Sequence, residues 1–296
     1  MKLRLNDNPL ESLIEYQKSR EKFQDTYKPK LSKDPRLFNE QIGMPVDARS
    51  PTLQPTKKLT KYQLDILEYK GKDLIINKAN KIGITETILR DIIYRATIGD
   101  CQGFQIILTS SMEGLAQNNL KRLTRIFLHS DLLRPYLKKT LETSLELTNE
   151  TEIFILASTQ KSGRSWERVK YIFADEAAHI GLLDDSEFFT SLSGRRINTG
   201  GYMRLVSTPK GQRGTFYEQS MKAIKGDFPA KYIELPYYVG LGTFFTEEEI
   251  ESEKKRQGPH MFEQEFLCKF ITSSNAAIES FLVDDAVDSS LEADPC

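Results

Sequence analysis

Apolar residues recur along this chain in two periods, which alternate from about Leu59 onward. Short apolar runs of strand length are separated by longer stretches with an apolar residue every three or four positions. The predicted strands are Leu74–Ile76, Phe104–Leu108, Ser144–Leu147, Glu152–Leu156, Tyr171–Ala174, Met203–Val206 and Tyr232–Leu235. The predicted helices lie near 85–98, 112–129, 214–224 and 246–256. Strands that alternate with crossover helices predict an α/β fold with a mostly parallel central sheet flanked by helices.

One predicted strand leaves its pairing open. The segment around Ser144–Leu147 mixes Thr and Glu with its apolar residues. It either joins the parallel sheet or forms an antiparallel hairpin with Glu152–Leu156.

The two ends of the chain lack the alternating pattern. Residues 8–24 have helical spacing, whereas Pro, Lys and turn residues over 28–61 indicate an extended arm or linker. After Phe270 a Ser/Asn/Ala-rich stretch, 273–277, is typical of a hinge. The pattern therefore predicts an N-terminal helix and extended arm over 1–58, one domain over 59–272, and a linker with an acidic tail over 273–296.

Composition narrows the class of protein only modestly. The chain has 296 residues, of which 39% are hydrophobic and 28% charged, with a net charge of −1. These values are typical of a globular protein and give no global basic field for nucleic acid. The three cysteines have no metal-ligand or disulfide spacing, and no window of 18 apolar residues exists. We therefore expect a soluble intracellular protein.

The first predicted strand ends in a candidate phosphate-binding loop, Lys78-Ala-Asn-Lys-Ile-Gly-Ile-Thr85. Such a loop needs a flexible backbone, a cation and a hydroxyl for Mg²⁺ ahead of a helix N-terminus. Gly83 supplies the flexibility and Thr85 the hydroxyl. The common pattern G-x-x-x-x-G-K-[ST] is broken at Lys78, in place of Gly, and at Ile84, in place of Lys. Either Lys78 or Lys81 could supply the missing cation, although an ordinary strand–helix turn explains the loop alone.

A pair of carboxylates follows a second predicted strand. Val169–Ala174 leads directly into Asp175 and Glu176. The carboxyl end of a parallel strand is the edge where α/β folds bind ligands. Asp175 there would hold Mg²⁺ and Glu176 would polarise a water that attacks a phosphate. The alternative is an acidic start to a helix.

A third strand ends in hydroxyl residues that could sense the phosphate. Met203–Val206 is followed by Ser207, Thr208 and Pro209, and then by a loop with Gly211 and Gly214. Hydroxyls at this position can bond a phosphate group, and the glycines allow the loop to rearrange.

These three elements, in this order, resemble the large-subunit terminase family of tailed-phage-type viruses over roughly Leu59–Phe270. The resemblance implies a RecA-like P-loop NTPase of the additional-strand catalytic-glutamate type. The matched segments are the adenine-recognising glutamine segment Leu59–Gln63, the deviant Walker A loop Lys78–Thr85, the Walker B strand and glutamate Ile172–Ala178, the coupling motif Ser207–Gly211 with Gly214–Tyr217, and the closing segment Phe262–Phe270.

The resemblance also assigns roles to residues. Nucleotide binding falls to Gln63, Lys78, Ala79, Asn80, Lys81, Ile82, Gly83, Ile84 and Thr85. Mg²⁺ would be held by Thr85 and Asp175. Glu176 is the catalytic residue, and Ser207, Thr208 and Pro209 couple hydrolysis to movement. Arg164 lies where the family carries an arginine that acts on a neighbouring subunit's ATP. Arg195 and Arg196 are less favoured candidates for the same role.

The resemblance implies an ATPase that pumps double-stranded DNA into a procapsid. Its implied cofactors are ATP and Mg²⁺. Its implied partners are double-stranded DNA, the portal protein, the small terminase subunit and copies of itself in a ring, a pentamer, in the host cytoplasm. Candidate DNA contacts are Lys121, Arg122, Arg125, Lys138 and Lys139. The tail over 273–296 is too short for the nuclease domain of a complete large terminase, so we expect no nuclease activity. The chain is either truncated, which we favour, or a nuclease-free motor.

Two other functions share parts of this pattern. A superfamily-two-like DNA helicase or translocase fragment has the same order of motifs but needs a second motor domain. A nucleotide-binding scaffold without hydrolysis is favoured by the isoleucine at position 84, but has no need for Thr85, Asp175 and Glu176 together.

Overall fold

The architecture comes from a computed structural model that describes residues 30–47, 49–157, 167–181 and 185–271. The strands of the central sheet are β1 (Asp73–Lys78), β2 (Gln105–Ser110), β3 (Leu137–Thr140), β4 (Ser144–Leu147), β5 (Glu152–Ala157), β6 (Val169–Asp175), β7 (Tyr202–Ser207) and β8 (Ala230–Leu235). All seven predicted strands are confirmed. The sequence pattern missed β3, whose exposed residues lack an apolar alternation.

Helices cover the strands in the order of an α/β fold. They are α1 (Pro35–Gln41), α2 (Lys61–Glu68), α3 (Ile84–Thr97), α4 (Glu113–His129), α5 (Ser186–Arg195), α6 (Gly214–Lys225), α7 (Glu247–Gln257) and α8 (Pro259–Leu267). Single 3-10 turns span Arg134–Tyr136, Ala177–His179 and Tyr237–Gly240. The four predicted helices correspond to α3, α4, α6 and α7. None of the helices in the described ranges has both the length and the apolar character that a membrane span requires.

The strand order is β3-β4-β5-β2-β6-β7-β1-β8, and the pairings from β5 through β8 are parallel. Strand β7 lies between β1, which precedes the phosphate loop, and β6, which ends in the acidic pair. An extra strand at this place defines the additional-strand class of P-loop fold, so the predicted fold class is confirmed. The loops after β1, β6 and β7 therefore meet at one edge of the sheet.

Of the two pairings predicted for β4, the structure has the antiparallel hairpin with β5. Strand β4 runs antiparallel to β5, with Leu145 opposite Ile153, and β3 adds a further antiparallel strand. The antiparallel strands lie at the end of the sheet farthest from β1.

Two hydrophobic layers bury the faces of the sheet. Alternate residues of β1 show the division, because Leu74 and Ile76 pack in the larger layer while Ile75 packs in the smaller one. The larger layer includes apolar residues of α3 and α4, and the smaller includes residues of α5 and α6. Both layers hold the flanking helices against the sheet.

The structure differs from the extended arm predicted over 28–61. Residues 35–41 form α1, which begins with a proline at its first turn and is capped by Asp34, whose Oδ1 accepts from Arg36 N at 2.8 Å. Phe38 is fully buried and packs edge-on against Tyr94 at 5.2 Å between ring centroids. A proline at the first helical position favours a helix start, so proline content alone misled the prediction here. The predicted helix over 8–24 and the tail over 273–296 lie outside the described residues, and the proposed domain boundaries stay predictions.

Candidate active site

The loop between β1 and α3 has the backbone of a phosphate cradle. Gly83 adopts φ +77° directly before α3, and a Cβ at this position would approach the Phe244 ring at 2.8 Å. Glycine is therefore required both by the left-handed conformation and by the close contact. The loop is anchored from outside, because Asn80 N donates to the Glu265 carbonyl at 2.9 Å. The first-turn N–H groups of α3 lack intrahelical acceptors and are available to an anion.

The two candidate lysines of this loop occupy different surroundings. Lys78 is only 4% exposed, and its Nζ lies 3.1 Å from Glu176 Oε1. Lys81 is exposed, in a left-handed conformation with φ +58°. The geometry thus brings Lys78, at the beginning of the motif, to the acidic pair. Lys81 is near enough to α7 for its positive charge to contribute to lowering the pKa of Glu253.

Asp175 is the most buried carboxylate of the edge. Its side chain accepts from Thr85 Oγ1 at 3.3 Å to Oδ1 and 3.2 Å to Oδ2. Asn119 Nδ2 donates to Oδ2 at 3.0 Å. Burial raises the pKa of Asp175, and the neighbouring charge of Glu176 raises it further. The donors from Asn119 and Thr85 and the charge of Lys78 oppose this rise.

The donor set around Asp175 fits a hard divalent cation such as Mg²⁺. Thr85 and Asp175 offer the oxygen ligands that Mg²⁺ prefers. The Ser110 hydroxyl, opposite Asp175 in the register of β2 and β6, is buried and has no partner in the described part of the chain. No group of three or more His, Cys, Asp or Glu residues in the described ranges could hold a metal. Phosphate oxygens and water would complete the coordination, as is usual for Mg²⁺.

The Glu176 carboxylate is accessible to a ligand in the adjacent cavity. Its backbone adopts a left-handed conformation with φ +51° and ψ +47°, and its side chain is 30% exposed. It lines a cavity of about 590 Å³ together with Thr85 and Asp175. Basic residues of α4, namely Lys121, Arg122 and Arg125, line the same cavity. A strained backbone at the end of a strand is a feature of functional sites, and here it turns the carboxylate towards the cavity.

The predicted coupling residues contact the turn that follows Glu176. Ala178 N donates to Ser207 Oγ at 3.1 Å, and His179 Nε2 lies 3.2 Å from Thr208 Oγ1. Burial lowers the pKa of His179, which favours its neutral form. Pro209 is buried next to them. The strand end after β7 and the catalytic turn are therefore directly connected.

Gln63 lies beside the phosphate loop, with Nε2 at 3.4 Å from the position of a Cβ on Gly83. Both ends of its amide are engaged within the protein. Its Oε1 accepts from the Thr60 backbone at 2.8 Å, and its Nε2 donates to Thr87 Oγ1 at 3.2 Å. The side chain caps α2 and joins it to α3, so recognition of a base by Gln63 stays a prediction that requires these bonds to open.

The arginine candidates are only partly described. Arg164, the predicted trans-acting residue, lies outside the described residues. Arg196 is engaged at the opposite end of β1, where its Nη2 bonds to Asp73 Oδ2 at 2.9 Å. This partly buried ion pair holds the start of the strand. Arg196, an alternative candidate for the trans-acting arginine, therefore has a structural role at the start of β1.

Sequence reasoning missed two polar residues of this edge, Asn119 and Ser110. Asn119 is 5% exposed although it belongs to the core-facing stripe of α4 that includes Ala116 and Leu123. A polar residue within an apolar stripe was the available signal, because a buried amide requires a partner. Ser110 carried no comparable signal, since hydroxyls at strand ends are common.

Solved structures with the same fold are phage terminases. The Thermus phage P74-26 large terminase ATPase domain matches with a TM-score of 0.61 and 16% identity, over 79% of this chain and 97% of that one. The HK97 bacteriophage large terminase matches with a TM-score of 0.64 and 17% identity, over 80% of this chain and 54% of that one. The large terminase of a thermophilic bacteriophage, in complex with ATP-gamma-S, matches with a TM-score of 0.56 and 12% identity, over 72% and 53%. The chain thus spans about half the length of the last two proteins.

Sequence comparison identifies the family. None of the curated proteins matches the chain. The profile of the terminase large subunit, T4likevirus-type, N-terminal family matches residues 75–283, which includes the phosphate loop, the acidic pair and the coupling residues. The resemblance drawn from the motifs is therefore confirmed, and the chain belongs to the T4likevirus-type terminase large-subunit family, in its N-terminal region.

Proposed function

We propose that this chain is the ATP-hydrolysing motor domain of a DNA-packaging enzyme. The observation that carries the proposal is the convergence of Lys78, Thr85, Asp175 and Glu176 at one edge of an additional-strand sheet. Membership of the terminase large-subunit family supports packaging as the task. The large terminase of the thermophilic bacteriophage binds ATP-gamma-S on the same fold, which supports ATP as the ligand here.

The residues divide the chemistry of hydrolysis among them. Glu176 orients and polarises the attacking water, because its partly exposed carboxylate opens into the cavity. Thr85 and Asp175 hold Mg²⁺, which when bound neutralises charge on the phosphate oxygens. Lys78 supplies a fixed positive charge at the developing negative charge. In the structure Lys78 pairs with Glu176, so a phosphate that attracts Lys78 would leave Glu176 free to bind water.

Coupling to movement starts at the strand end after β7. Ser207 and Thr208 each form a hydrogen bond with the turn that carries Glu176. A change at the phosphate that moves this turn would therefore reach both residues. The loop that follows is tied to α8, because Gly211 N donates to Gln264 Oε1 at 3.1 Å. Movement of this loop would therefore be transmitted to the last helix before residue 271.

Double-stranded DNA would be held through its phosphates by exposed cations. Among the predicted contacts, Lys121 and Arg125 are exposed on α4, whereas Arg122 is bound to Glu86 at 2.7 Å. Lys138 and Lys139 are exposed on β3. Contacts of this kind are independent of sequence and weaken with salt.

Assembly completes the proposal. The motor is expected to act as a homo-oligomeric ring, a pentamer, on the portal of a procapsid in the host cytoplasm, with a small terminase subunit as a further partner. Arg164 would act in trans on the ATP of a neighbouring subunit.

The test is steady-state ATPase activity over a range of protein concentrations. We expect Mg²⁺-dependent hydrolysis whose specific activity rises with protein concentration, because Arg164 is supplied by a neighbour. The rise should disappear in Arg164→Ala and remain in the matched change Arg195→Ala.

Two outcomes would contradict the proposal. A wild-type chain that binds ATP but never hydrolyses it, with or without DNA, would favour the scaffold function. Hydrolysis that is stimulated by single-stranded DNA but not by duplex would favour the helicase-like alternative.

A further inference from the structure

Asn119 is a buried amide in a position where helices of this kind carry apolar residues. Its neighbours on the same face of α4, Ala116 and Leu123, are buried in the larger hydrophobic layer. Asn119 is 5% exposed, and its Nδ2 donates to Asp175 Oδ2 at 3.0 Å. Burying an amide is unfavourable unless it is hydrogen-bonded. The contact with Asp175 therefore accounts for a polar residue at this place.

The Asp175 carboxylate is held from two helices. Thr85, at the start of α3, lies within 3.3 Å of both oxygens, whereas Asn119 of α4 contacts only Oδ2. Two donors on separate helices define the plane of the carboxylate. The single Thr85 hydroxyl proton is shared between the two oxygens and Asn119 donates to Oδ2 alone, so Oδ1 retains more capacity for a further ligand.

The chemical type of the donor suits a cation site. A lysine or arginine at position 119 would also hold Asp175, but its charge would repel a divalent cation at the same carboxylate. The amide of Asn119 orients the carboxylate without adding positive charge. Of the basic residues of α4 that line the cavity, Arg122 is bound to Glu86 at 2.7 Å.

A second observation points to a ligand at the same place. The Ser110 side chain is 1% exposed, and its hydroxyl has no hydrogen-bond partner within the described part of the chain. Ser110 lies opposite Asp175 in the register of neighbouring strands, on the face covered by α3 and α4. A buried hydroxyl without a partner is unfavourable, and it would be satisfied by a water molecule that coordinates a cation.

We propose that Asn119 is a positioning residue of the divalent-cation site, where it fixes Asp175 so that Oδ1 meets the cation while the Ser110 hydroxyl binds a water ligand. The inference rests on the proposed function, since it assumes that the edge binds Mg²⁺ with a nucleotide. It adds a residue that acts on the metal through Asp175.

The experiment separates binding of the cation from binding of the nucleotide. A fluorescent ATP analogue is titrated into the chain in excess EDTA and at a series of Mg²⁺ concentrations. The variants are Asn119→Leu, which keeps the branched shape of the side chain and removes the donor, Asn119→Ala, and the control Asn198→Ala. Asn198 is exposed in the turn before β7 and does not line the cavity that contains Asp175.

We expect Asn119→Leu to raise the Mg²⁺ concentration for half-maximal binding about tenfold, the lower end for loss of an outer-shell partner. Affinity in EDTA should stay within about twofold, and Asn198→Ala should match wild type. Thermal unfolding of each variant verifies folding, and Asn119→Ala carries the test if Asn119→Leu does not fold.

The outcomes distinguish this inference from the function on which it rests. Unchanged Mg²⁺ dependence in a folded Asn119 variant would overturn the inference alone, as would an equal loss of affinity with and without Mg²⁺. A wild-type chain that binds no nucleotide under any condition would overturn both.

Discussion

The two edges of the sheet treat their polar groups in opposite ways. At the amino-terminal edge, a polar cluster consists of the buried residues Asp91, Arg95, Tyr171 and Tyr202 with the exposed Asp100. Arg95 Nε bonds to Asp91 Oδ1 at 2.7 Å, and the Tyr171 hydroxyl donates to Asp91 Oδ2 at 2.9 Å. The Tyr202 hydroxyl donates to Asp100 at 3.0 Å. Charges and hydroxyls in this cluster satisfy one another.

The carboxyl-terminal edge is not closed in this way. Two adjacent carboxylates, Asp175 and Glu176, share the buried ammonium of Lys78. The Ser110 hydroxyl beside them has no partner in the described ranges. Polar groups that are saturated by one another stabilise a fold, whereas groups with spare capacity can bind a ligand. Charge alone therefore does not identify the functional edge, because both edges contain several charged groups.

The largest effect is expected from Glu176→Gln at the catalytic edge. Loss of the general base should lower the ATP turnover rate by about 10²- to 10⁴-fold. The free energy of unfolding should change by less than about 1 kcal/mol, because the residue is partly exposed. Phosphate release and chemical denaturation of the same preparation measure both quantities. A fall in turnover of only a few-fold would contradict the role of Glu176.

Asp91→Ala should destabilise the protein at the amino-terminal edge of the sheet. Its removal leaves the buried Arg95 guanidinium without its closest carboxylate and the Tyr171 hydroxyl without an acceptor. We expect the free energy of unfolding to fall by about 3–5 kcal/mol, measured by urea denaturation.

Asp100→Ala is the matched control for that change. Asp100 also pairs with Arg95, at 3.3 Å, but its side chain is 48% exposed. Its removal should cost about 1 kcal/mol or less. Equal losses from both variants would show that the cluster is not held by burial.

The two lysines of the phosphate loop should contribute unequally to ATP binding, although they belong to the same loop. Lys78→Ala should weaken ATP binding by roughly 10- to 100-fold, the value of a charge-assisted bond of about 1.5–3 kcal/mol. Lys81→Ala should leave the affinity unchanged, because Lys81 is exposed while Lys78 pairs with Glu176 at the acidic pair. Calorimetric titration of both variants measures this difference. The reverse ranking would place the phosphates against Lys81.

The smallest effect is expected from the exposed cations of α4. The double change Lys121→Ala and Arg125→Ala should reduce the slope of log K for duplex DNA against log salt by about 2. Lys254→Ala with Lys255→Ala, two exposed lysines of α7, is the control with equal loss of charge. Filter binding at several salt concentrations measures the slopes. If both pairs change the slope equally, α4 has no special role in holding DNA.

The sequence predicted the features that depend on local pattern. Strands, their carboxyl ends and the loop at Gly83 follow from periodicity and residue type, and the sheet then brings Lys78 and Asp175 together. It could not predict contacts between distant segments. Asn119 and Asp175 are 56 positions apart, and the Arg196–Asp73 pair spans 123. Such pairs depend on how helices pack on the sheet, which one sequence does not encode in any local signal.

Misleading local signals explain the remaining differences. Pro35 belongs to a helix start, although proline-rich segments are usually extended. Gln63 satisfies its own helix cap, a role that sequence similarity alone does not distinguish from recognition of a base. In both cases the residue type has two common uses, and recognition of a base by Gln63 stays a prediction.

The two edges of the sheet have separate roles, which a crossed measurement of two variants tests. ATP turnover per folded molecule and the free energy of unfolding are determined together for Glu176→Gln and Asp91→Ala. We expect Glu176→Gln to lose turnover and keep stability, and Asp91→Ala to lose stability and keep turnover at temperatures where it remains folded. Loss of both properties in both variants, or full turnover in Glu176→Gln, would contradict this separation of roles.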